Sequence, residues 1–443
     1  MNKDLKNKQE RGITLIALVV TIVVLLILAG VSISLVLNNN GVIGKAKDAR
    51  DQYAEAQTND EKQLNEVSDW IDTKVGDTTG GNGNGGNGGG SSTLPTTETT
   101  KPYMPGDTFT VVAGTTLDNG LTIQDATENG NQYVWVEVPK TATVYPTAGV
   151  NITEFTTDDY TNIENDLHTY TSTYRNGTSC KDEWDEDTDN TADWYTPEQY
   201  IVQKQKMLKS VYQNGGFWVA KYEAGLTEEN KRTSETPAPT IAPQSKANLV
   251  PYNYVTRTEA KKLAEMVTYT KGETTYKGSL MFGVQWNLVL KFIETKKIAT
   301  DATIVSKLNS DSKDIGNYRN ATFTINRGKY AVYSFYKLKN TWNAYNISTS
   351  NYVGENANKL SLSSGYGILL TTGAVEQNSL MNIYDIAGNV EEWTLEKDSG
   401  SNGPCAYRGG HYYGTGSAYP ASYRDGRTTN LSADSIGFRL SLY

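Results

Sequence analysis

The chain has 443 residues, a formal net charge of −9 at pH 7 and a sequence pI near 5.1. This length allows two or three domains with buried cores, and the acidic balance argues against nucleic acid as a partner, because phosphate binding requires a basic face. Only two cysteines, Cys180 and Cys405, and two histidines, His168 and His411, are available for metal binding or nucleophilic catalysis.

The first strong feature is an uncharged, Leu/Ile/Val-rich run from Ile13 to Leu37. At about 25 residues it exceeds the roughly 20 that a helix needs to cross the hydrocarbon core, so it predicts a transmembrane helix. The basic residues before it favour a cytoplasmic amino terminus and a single-pass protein with an external carboxy-terminal part. A cleaved secretory signal is the alternative, but its apolar region spans only about 7–15 residues.

The stretch "RGITLIALVVTI" resembles the amino terminus of type IV prepilins and pseudopilins. The resemblance implies a leader over residues 1–12 that ends at Gly12, and a mature chain that begins at Ile13 after cleavage by a prepilin peptidase. Ala17 stands where the family usually has a glutamate that pairs with a neighbouring subunit's terminal amine. This departure weakens the implication that the chain polymerises into a pilus.

Two further segments separate the membrane from the rest of the chain. Apolar residues between 46 and 75 recur at spacings of three and four among charged residues, which predicts an amphipathic stalk that continues the membrane helix through residue 75. Residues 76–102 are rich in Gly, Asn, Ser and Thr, which predicts a flexible linker with an r.m.s. reach of roughly 25–30 Å.

Residues 103–443 predict an α+β head with long loops. The stretches "QYVWVEVP" and "GGFWVAKYEAG" have a period of two, typical of strands. Thr256 followed by Glu259 forms a capping-box pattern at the start of "TRTEAKKLAEMV", and "SLMFGVQWNLVLKFIE" predicts a second helix.

Several of these stretches, in this order, resemble the formylglycine-generating-enzyme family, whose domain is a variant of the C-type lectin fold. The parallels begin with "FWVAKYEAG", "PYNYVTRTEAKKLAEMV" and "QWNLVLKFI" and end with "NIYDIAGNVEEW", "YRGGHY" and "IGFRL". They extend from about residue 130 to residue 443. The resemblance implies a C-type-lectin-like head.

The residues that carry the family's chemistry are not found at the matching positions. Its copper-dependent members hold two cysteines between "RGG" and "GFR", whereas Cys405 precedes that interval and Cys180 lies far upstream. A second branch holds iron with paired histidines and a carboxylate, but His168 and His411 are isolated in the sequence. We therefore predict that the chain is not an enzyme and has no catalytic cofactor.

Calcium is a separate question. The stretch "DEDTDN" places Asp185, Asp187 and Asp189 as in a calcium loop but lacks the required glycine and bidentate glutamate, so a solvated acidic insertion is favoured. Relatives of the fold bind structural calcium near the "GNVEEW" turn, which makes Asn389 and Glu392 candidate ligands by resemblance. The alternative is that Asn389 caps the turn and Glu392 pairs with an arginine.

The segment from His411 to Ser435 lies between the framing motifs and contains no Lys, Glu, Gln, Met or Trp. Its Tyr, Ser, Gly, Asn and Asp residues are typical of a binding surface, since tyrosine gives rigid amphipathic contact and small polar residues adapt. The five missing types are those that adenine-directed mutagenesis of Asn codons cannot reach in variable proteins of diversity-generating retroelements, which share this fold; ordinary composition bias is the alternative. The candidate ligand-binding residues are His411, Tyr412, Tyr413, Ser417, Tyr419, Ser422, Tyr423, Asp425, Arg427, Asn430 and Asp434.

Three functions follow from these features. The leading hypothesis is an adhesin-like protein, anchored in the cell membrane and displayed outside the cell, whose carboxy-terminal loops recognise a surface protein or a glycan. An oxidase of the formylglycine-generating type and a structural minor pilin or pseudopilin are the alternatives.

Overall fold

The computed structural model describes residues 93–174, 180–334, 341–344, 366–400 and 402–443. The predicted leader with its Gly12–Ile13 cleavage site, the membrane helix, the stalk and most of the linker lie outside the described residues. Within the described part of the chain, no helix is both long and apolar enough to cross a membrane.

The helices of the described region begin with strong local signals. Thr156, Thr196 and Thr256 each accept a hydrogen bond from the backbone three residues later, and each helix forms a complete capping box. The box predicted at Thr256 and Glu259 is confirmed, and so is the helix predicted in "SLMFGVQWNLVLKFIE". The helices are Thr157–Tyr170 (α1), Pro197–Asn214 (α2), Arg257–Glu265 (α3), Gly283–Lys297 (α4) and Ile304–Asn309 (α5).

The strands are short, as expected for a loop-rich α+β domain. They are Phe109–Val111 (β1), Thr122–Asp125 (β2), Gln132–Glu137 (β3), Cys180–Lys181 (β4), Gly216–Ala220 (β5), Gly225–Leu226 (β6), Val250–Pro251 (β7), Thr268–Lys271 (β8), Thr274–Lys277 (β9), Ser279–Leu280 (β10), Lys329–Ser334 (β11), Asn343–Ala344 (β12), Tyr366–Leu370 (β13), Ser379–Leu380 (β14), Ile383–Tyr384 (β15), Glu391–Asp398 (β16), Cys405–Arg408 (β17), Arg424–Arg427 (β18), Ile436–Phe438 (β19) and Leu440–Leu442 (β20).

The larger of the two main sheets joins the beginning of the head to its end. Its order is β1-β2-β3-β5-β20-β10, so the last strand of the chain lies between β5 and β10. Strand β3 pairs antiparallel with β5 in the register Trp135↔Trp218, which confirms both strands predicted from their period of two. Consecutive residues of both strands are buried, so both faces of this pair are covered.

The second main sheet carries the carboxy-terminal segment. Its order is β18-β17-β16-β19, with β4 paired to the far end of β16. Strands β17 and β18 run antiparallel to their neighbours, whereas β19 runs parallel to β16. The stretches "NVEEW", "YRGG" and "SIGFR" therefore meet in one sheet, and the chain between β17 and β19 is fixed at both ends.

Four tryptophans form the largest buried side chains of the head. Trp135, Trp218, Trp286 and Trp393 are each at most 1% exposed. Each indole N–H has an acceptor: the Thr100 hydroxyl for Trp135 and backbone oxygens for the other three, at 2.7–2.9 Å. Full burial of a polar N–H is tolerated because the hydrogen bond offsets the loss of water.

The head begins before the predicted boundary at residue 103. Thr100 is fully buried and donates its hydroxyl to the Gly215 carbonyl at 2.9 Å, and the Lys101 N–H donates to the Asn214 carbonyl at 2.7 Å. These two residues, assigned to the flexible linker on composition, are instead fixed to the end of α2. Composition failed here because threonine is common both in linkers and in buried turns.

Candidate ligand-binding site

The chain leaves β17 through two glycines that only glycine can occupy. Gly409 and Gly410 have φ of 92° and 76°, and a Cβ on Gly410 would lie 2.3 Å from the Tyr419 carbonyl oxygen. This close approach turns residues 411–423 back over the sheet. The "RGG" motif therefore sets the path of the candidate segment.

Residues 411–423 are held in one arrangement by the chain around α5. Backbone bonds join Ser312 to Gly416, Arg319 to Gly414 and Ser422 to Leu308 at 3.0–3.1 Å. The Ser312 hydroxyl also accepts from the Ala421 N–H at 2.8 Å. A ligand that contacts this segment meets a surface that is already ordered, which lowers the entropy cost of binding.

The predicted ligand-binding residues divide into three classes of exposure. Ser417 and Asn430 are exposed. The half-buried residues are Tyr413, Tyr419, Tyr423, Asp425, Arg427 and Asp434. The buried residues are His411, Tyr412 and Ser422.

The prediction that Tyr412 is an exposed contact residue is wrong. Its side chain is 1% exposed and packs in a second hydrophobic cluster that includes Tyr333 and Leu369. The Tyr412 N–H bonds to the Asn389 carbonyl, which directs the ring inward, and its hydroxyl donates to Asp434 at 2.5 Å. Asp434 thereby supports a core tyrosine.

Ser422 is also part of the framework. It is fully buried, and its hydroxyl donates to the Asn309 side chain at 2.7 Å, so it anchors the segment to α5. His411 and Ser422 were placed on a loop face that need not build the core, and their burial corrects that prediction.

The remaining aromatic residues form a continuous surface. We call Tyr413, Tyr419 and Tyr423 the tyrosine face. The His411 ring lies between the first two, with centroids 3.9 Å from Tyr413 and 4.7 Å from Tyr419, and Tyr423 stacks edge-on against Tyr419 at 4.8 Å. The aromatic contact area predicted from composition is therefore present, although one of its four tyrosines belongs to the core.

An acid–arginine pair borders the tyrosine face. Asp425 accepts from the Tyr423 hydroxyl at 3.1 Å and pairs with Arg427, whose guanidinium lies 5.0 Å from the Tyr407 ring centroid. Burial raises the pKa of Asp425, but hydrogen bonds from Asn402 and Arg427 outweigh it and leave the pKa below its usual value. Asp425 is thus ionised and satisfied within the protein.

Glu391 lies next to His411 and is the functional candidate that sequence reasoning missed. Its side chain is 5% exposed, that of His411 is 6% exposed, and Glu391 Oε1 lies 3.7 Å from His411 Nε2. Among the described residues, neither Glu391 Oε1 nor His411 Nδ1 has a hydrogen-bond partner. A buried polar atom left unsatisfied costs about 1–3 kcal/mol, so two of them on neighbouring side chains mark an unusual site.

Burial also shifts the protonation of both groups away from charge. Burial holds the pKa of Glu391 well above its usual value, and only Arg427 opposes this shift. Burial, together with Arg427 and Arg319, lowers the pKa of His411 to about 3. The imidazole is therefore neutral near pH 7 and supplies no counter-charge to the carboxyl group.

The adjacent glutamate, Glu392, was the predicted calcium ligand. Its two oxygens accept from Arg439 at 2.6–3.1 Å, so a guanidinium occupies the place of a metal ion. The Asn389 side-chain oxygen accepts from Asn317 and from the Leu370 N–H, both at 3.0 Å. The alternative prediction, that Glu392 pairs with an arginine, agrees with these contacts, and Arg439 is that arginine. These two side chains do not fit a calcium site.

The acidic stretch around Asp187 is only partly solvated, because Asp189 is exposed but Asp187 is buried. Asp187 is 1% exposed, accepts from the Asp189 and Asn190 N–H groups, and receives the Thr258 hydroxyl. Asp189 receives the Thr429 hydroxyl, so the stretch fastens α3 to the carboxy-terminal segment.

The two histidines and two cysteines lie in separate surroundings. His168 stands beside Glu164 on α1, with the Lys204 ammonium bonded to both Glu164 oxygens, whereas His411 stands beside Glu391. Both cysteines are buried and neither forms a disulfide, and the strand of each, β4 for Cys180 and β17 for Cys405, pairs with β16. Burial raises the pKa of Cys405 to about 11, which keeps this thiol protonated and a poor metal ligand.

Comparisons with known proteins support part of this picture. Residues 323–442 match the family model of the sulfatase-modifying factor enzyme 1-like domain. Two solved structures are similar at 13% identity: CarF, with a TM-score of 0.28 over 51% of this chain and 85% of CarF, and Treponema denticola variable protein 1, with a TM-score of 0.27 over 51% of this chain and 84% of that protein. A comparison with curated proteins gives no significant match. The family match alone indicates a formylglycine-generating-enzyme-like domain at residues 323–442.

Proposed function

We propose that the chain is a membrane-anchored, surface-displayed protein that binds a surface protein or glycan through the tyrosine face. The observation that carries the proposal is the position of the unsatisfied Glu391 and His411 atoms next to three half-buried tyrosines. Aromatic residues around a desolvated polar group are typical of binding hot spots. The lectin-like domain fits this role, because its long loops carry the candidate residues on a rigid sheet.

The binding role is tested by changing the tyrosine face to Tyr413→Ser, Tyr419→Ser and Tyr423→Ser in one chain. Cells displaying this variant are compared with wild-type cells on panels of protein-coated and glycan-coated surfaces. Loss of a hot-spot tyrosine costs about 2 kcal/mol or more, roughly 30-fold in affinity, so attachment should disappear.

The matched control removes three other half-buried tyrosines, by Tyr160→Ser, Tyr170→Ser and Tyr276→Ser. It should attach like the wild type. Equal attachment by both triple variants, or no coated surface that retains the wild type, would show that the tyrosine face does not bind a ligand.

Display at the cell surface rests on the apolar run and the prepilin-like leader, and it has its own test. External protease should cut the glycine-rich linker of residues 76–102 and leave a membrane-bound fragment that ends near residues 80–90. An intact chain after protease treatment of whole cells, with digestion after lysis, would place the head inside the cell.

The family match favours one second function, oxidation of a substrate cysteine. Its test is copper-dependent oxidation of a cysteine peptide by the purified chain, and loss of that activity after Cys180→Ser with Cys405→Ser. Both cysteines lie outside the interval between "RGG" and "GFR", and burial raises the pKa of Cys405, so the binding role is the better supported of the two.

A further inference from the structure

A cavity of about 330 Å³ lies beside β6, where four segments of the head meet. Its lining comes from the loop between β2 and β3, from β6 and the loop after it, from residues 241–244 and from residues 266–269. The volume is at the lower end of the range for small-molecule sites, roughly 300–1,000 Å³. No residue of the tyrosine face lines this cavity, so a ligand bound there occupies a separate site.

Hydrogen bonds hold the wall of the cavity in one arrangement. The buried Asn131 side chain donates to the Tyr269 hydroxyl at 2.7 Å and accepts from the Ser245 N–H at 2.8 Å. Gly225 and Gln244 exchange backbone hydrogen bonds at 2.9 and 3.1 Å. The segment that carries Gln244 is therefore fixed to β6 and to the start of β3, and a ligand does not have to order it.

Three carboxamide side chains in the lining keep atoms that no described residue engages. Gln244 Nε2 donates to Asn129 Oδ1 at 3.3 Å, and this bond leaves Gln244 Oε1 and Asn129 Nδ2 available. Asn230 Nδ2 donates to the Thr227 hydroxyl at 3.0 Å, which leaves Asn230 Oδ1 available. The cavity thus offers two acceptors and a donor to a ligand.

Apolar side chains form much of the remaining lining. Leu226 and Val267 are buried, whereas Ile241 is 42% exposed and Met266 is 47% exposed. The last two belong to the small set of large apolar side chains that are exposed in the described chain. Exposed apolar groups gathered at one cavity indicate a surface that a ligand covers.

The charge of the lining selects the ligand. Among the described residues that line the cavity, none is Asp, Glu, Lys, Arg or His, so a charged ligand would lose water without gaining a counter-charge. A hydroxyl group both donates and accepts, so hydroxyls around a small ring match the three carboxamides. The C–H face of such a ring packs on Ile241 and Met266.

A neutral peptide also carries donors and acceptors, but it binds a sheet best along a free strand edge. Strand β6 in this wall has both edges occupied, by β7 and by Gln244. We propose that the cavity binds an uncharged sugar residue of a glycan.

Saturation-transfer NMR on the full chain, in a detergent without a sugar headgroup, tests the proposal with methyl glycosides of glucose, galactose, mannose and N-acetylglucosamine, each added alone. We expect transfer to the ring protons of at least one glycoside, and at least tenfold weaker binding after Asn129→Ala with Asn230→Ala. Both asparagines are exposed, so their replacement should leave the fold intact. The matched control changes two other exposed asparagines, by Asn151→Ala and Asn165→Ala, and should bind like the wild type.

Three results would overturn the proposal: no transfer to any of the four glycosides, equal binding by the wild type and the Asn129→Ala, Asn230→Ala chain, or tighter binding of methyl glucuronide than of methyl glucoside. Transfer to N-acetyl-trialanine methylamide and to none of the glycosides would assign the cavity to a peptide instead.

The chain with Tyr413→Ser, Tyr419→Ser and Tyr423→Ser separates this site from the tyrosine face. It should bind the glycoside like the wild type, and loss of that binding would place the sugar on the tyrosine face and overturn the proposal. Glycoside binding together with unchanged surface attachment would remove the proposed function and leave the cavity as the sugar site.

Discussion

Strand β16 presents two neighbouring glutamates in opposite surroundings. Glu392 is 1% exposed, and its carboxylate accepts hydrogen bonds from two nitrogen atoms of Arg439, which is also buried. Glu391, one residue earlier and on the other face of the strand, is nearly as buried but has an oxygen without a donor. The comparison separates a buried carboxylate that the fold pairs with an arginine from a buried carboxyl group that has no such pair and whose pKa is raised by burial.

The largest expected effect comes from removing the arginine that pairs with Glu392. Arg439→Leu removes the cation that faces Glu392, with Glu223 and Asp385 also close enough to feel its charge. Removal of one member of a buried pair costs about 3–5 kcal/mol, so the free energy of unfolding by denaturant should fall by that amount. Arg327→Leu, which breaks a half-exposed pair with Glu376, is the control and should cost at most about 1 kcal/mol.

A loss of less than about 1 kcal/mol in Arg439→Leu would mean that Glu392 is protonated and that the pair has little structural role. Glu391 and Glu392 would then both be buried, protonated carboxyl groups, and the contrast between them would disappear.

The second expected effect separates core and surface tyrosines within residues 411–423. Tyr412→Ser removes a buried ring and its bond to Asp434 and should cost about 3–5 kcal/mol, like Phe438→Ala in β19. Tyr419→Ser changes a half-buried residue and should cost roughly 1 kcal/mol. Thermal melting of the three single variants gives the order; equal melting of the two tyrosine variants would make the whole segment core.

The part of the fold that could be predicted from the sequence depends on local signals. Thr256 and Glu259 form their capping box within four residues, and the strand around Trp135 has its period of two in six consecutive residues. The family motifs also gave the framing strands, because "NVEEW", "YRGG" and "IGFR" carry the resemblance themselves. Such signals need no knowledge of distant contacts.

The candidate site depends on contacts that no local pattern encodes. Tyr412 turns inward because its N–H meets the Asn389 carbonyl, and Glu391 lacks a donor because Arg427 is taken by Asp425. High tyrosine content suggested exposed rings, but Tyr133 and Tyr200 are at most 1% exposed with bonded hydroxyls. A residue's type gives its chemistry, and only the fold gives its direction.

The difference between exposed and buried residues limits where diversification can act, if the codons for residues 411–435 are varied. Changes at the exposed Ser417 and Asn430 leave the framework intact, whereas changes at Tyr412 or the fully buried Ser422 disturb it. Natural copies should therefore differ most at exposed and half-buried positions, next to a near-duplicate template that differs only at adenines.

The third expected effect is the contribution of Glu391 to the pH dependence of the chain's stability. Burial raises the pKa of Glu391, so the folded chain keeps a proton that the unfolded chain has lost, and stability falls as pH rises through that interval. The slope from one such group is at most about 1.4 kcal/mol per pH unit. Glu391→Gln should remove its share of the slope between pH 4 and 8, while the exposed Glu229→Gln leaves the slope unchanged. A Glu391→Gln curve parallel to the wild type would show that the carboxyl group has a partner.

The smallest expected effect concerns the two cysteines, whose strands both pair with β16. Cys180 pairs across from Asp398 and Cys405 across from Lys397, and neither thiol forms a disulfide. Dithiothreitol, which reduces disulfides, should therefore leave the melting temperature unchanged. The pKa of about 11 keeps Cys405 protonated, so it should resist alkylation at pH 7 until the chain unfolds. A chain with Cys180→Ser and Cys405→Ser should then attach to coated surfaces like the wild type. A lower melting temperature in reductant, or rapid alkylation of Cys405 in the folded chain, would bring the thiols together and restore the oxidase as the better explanation of the fold.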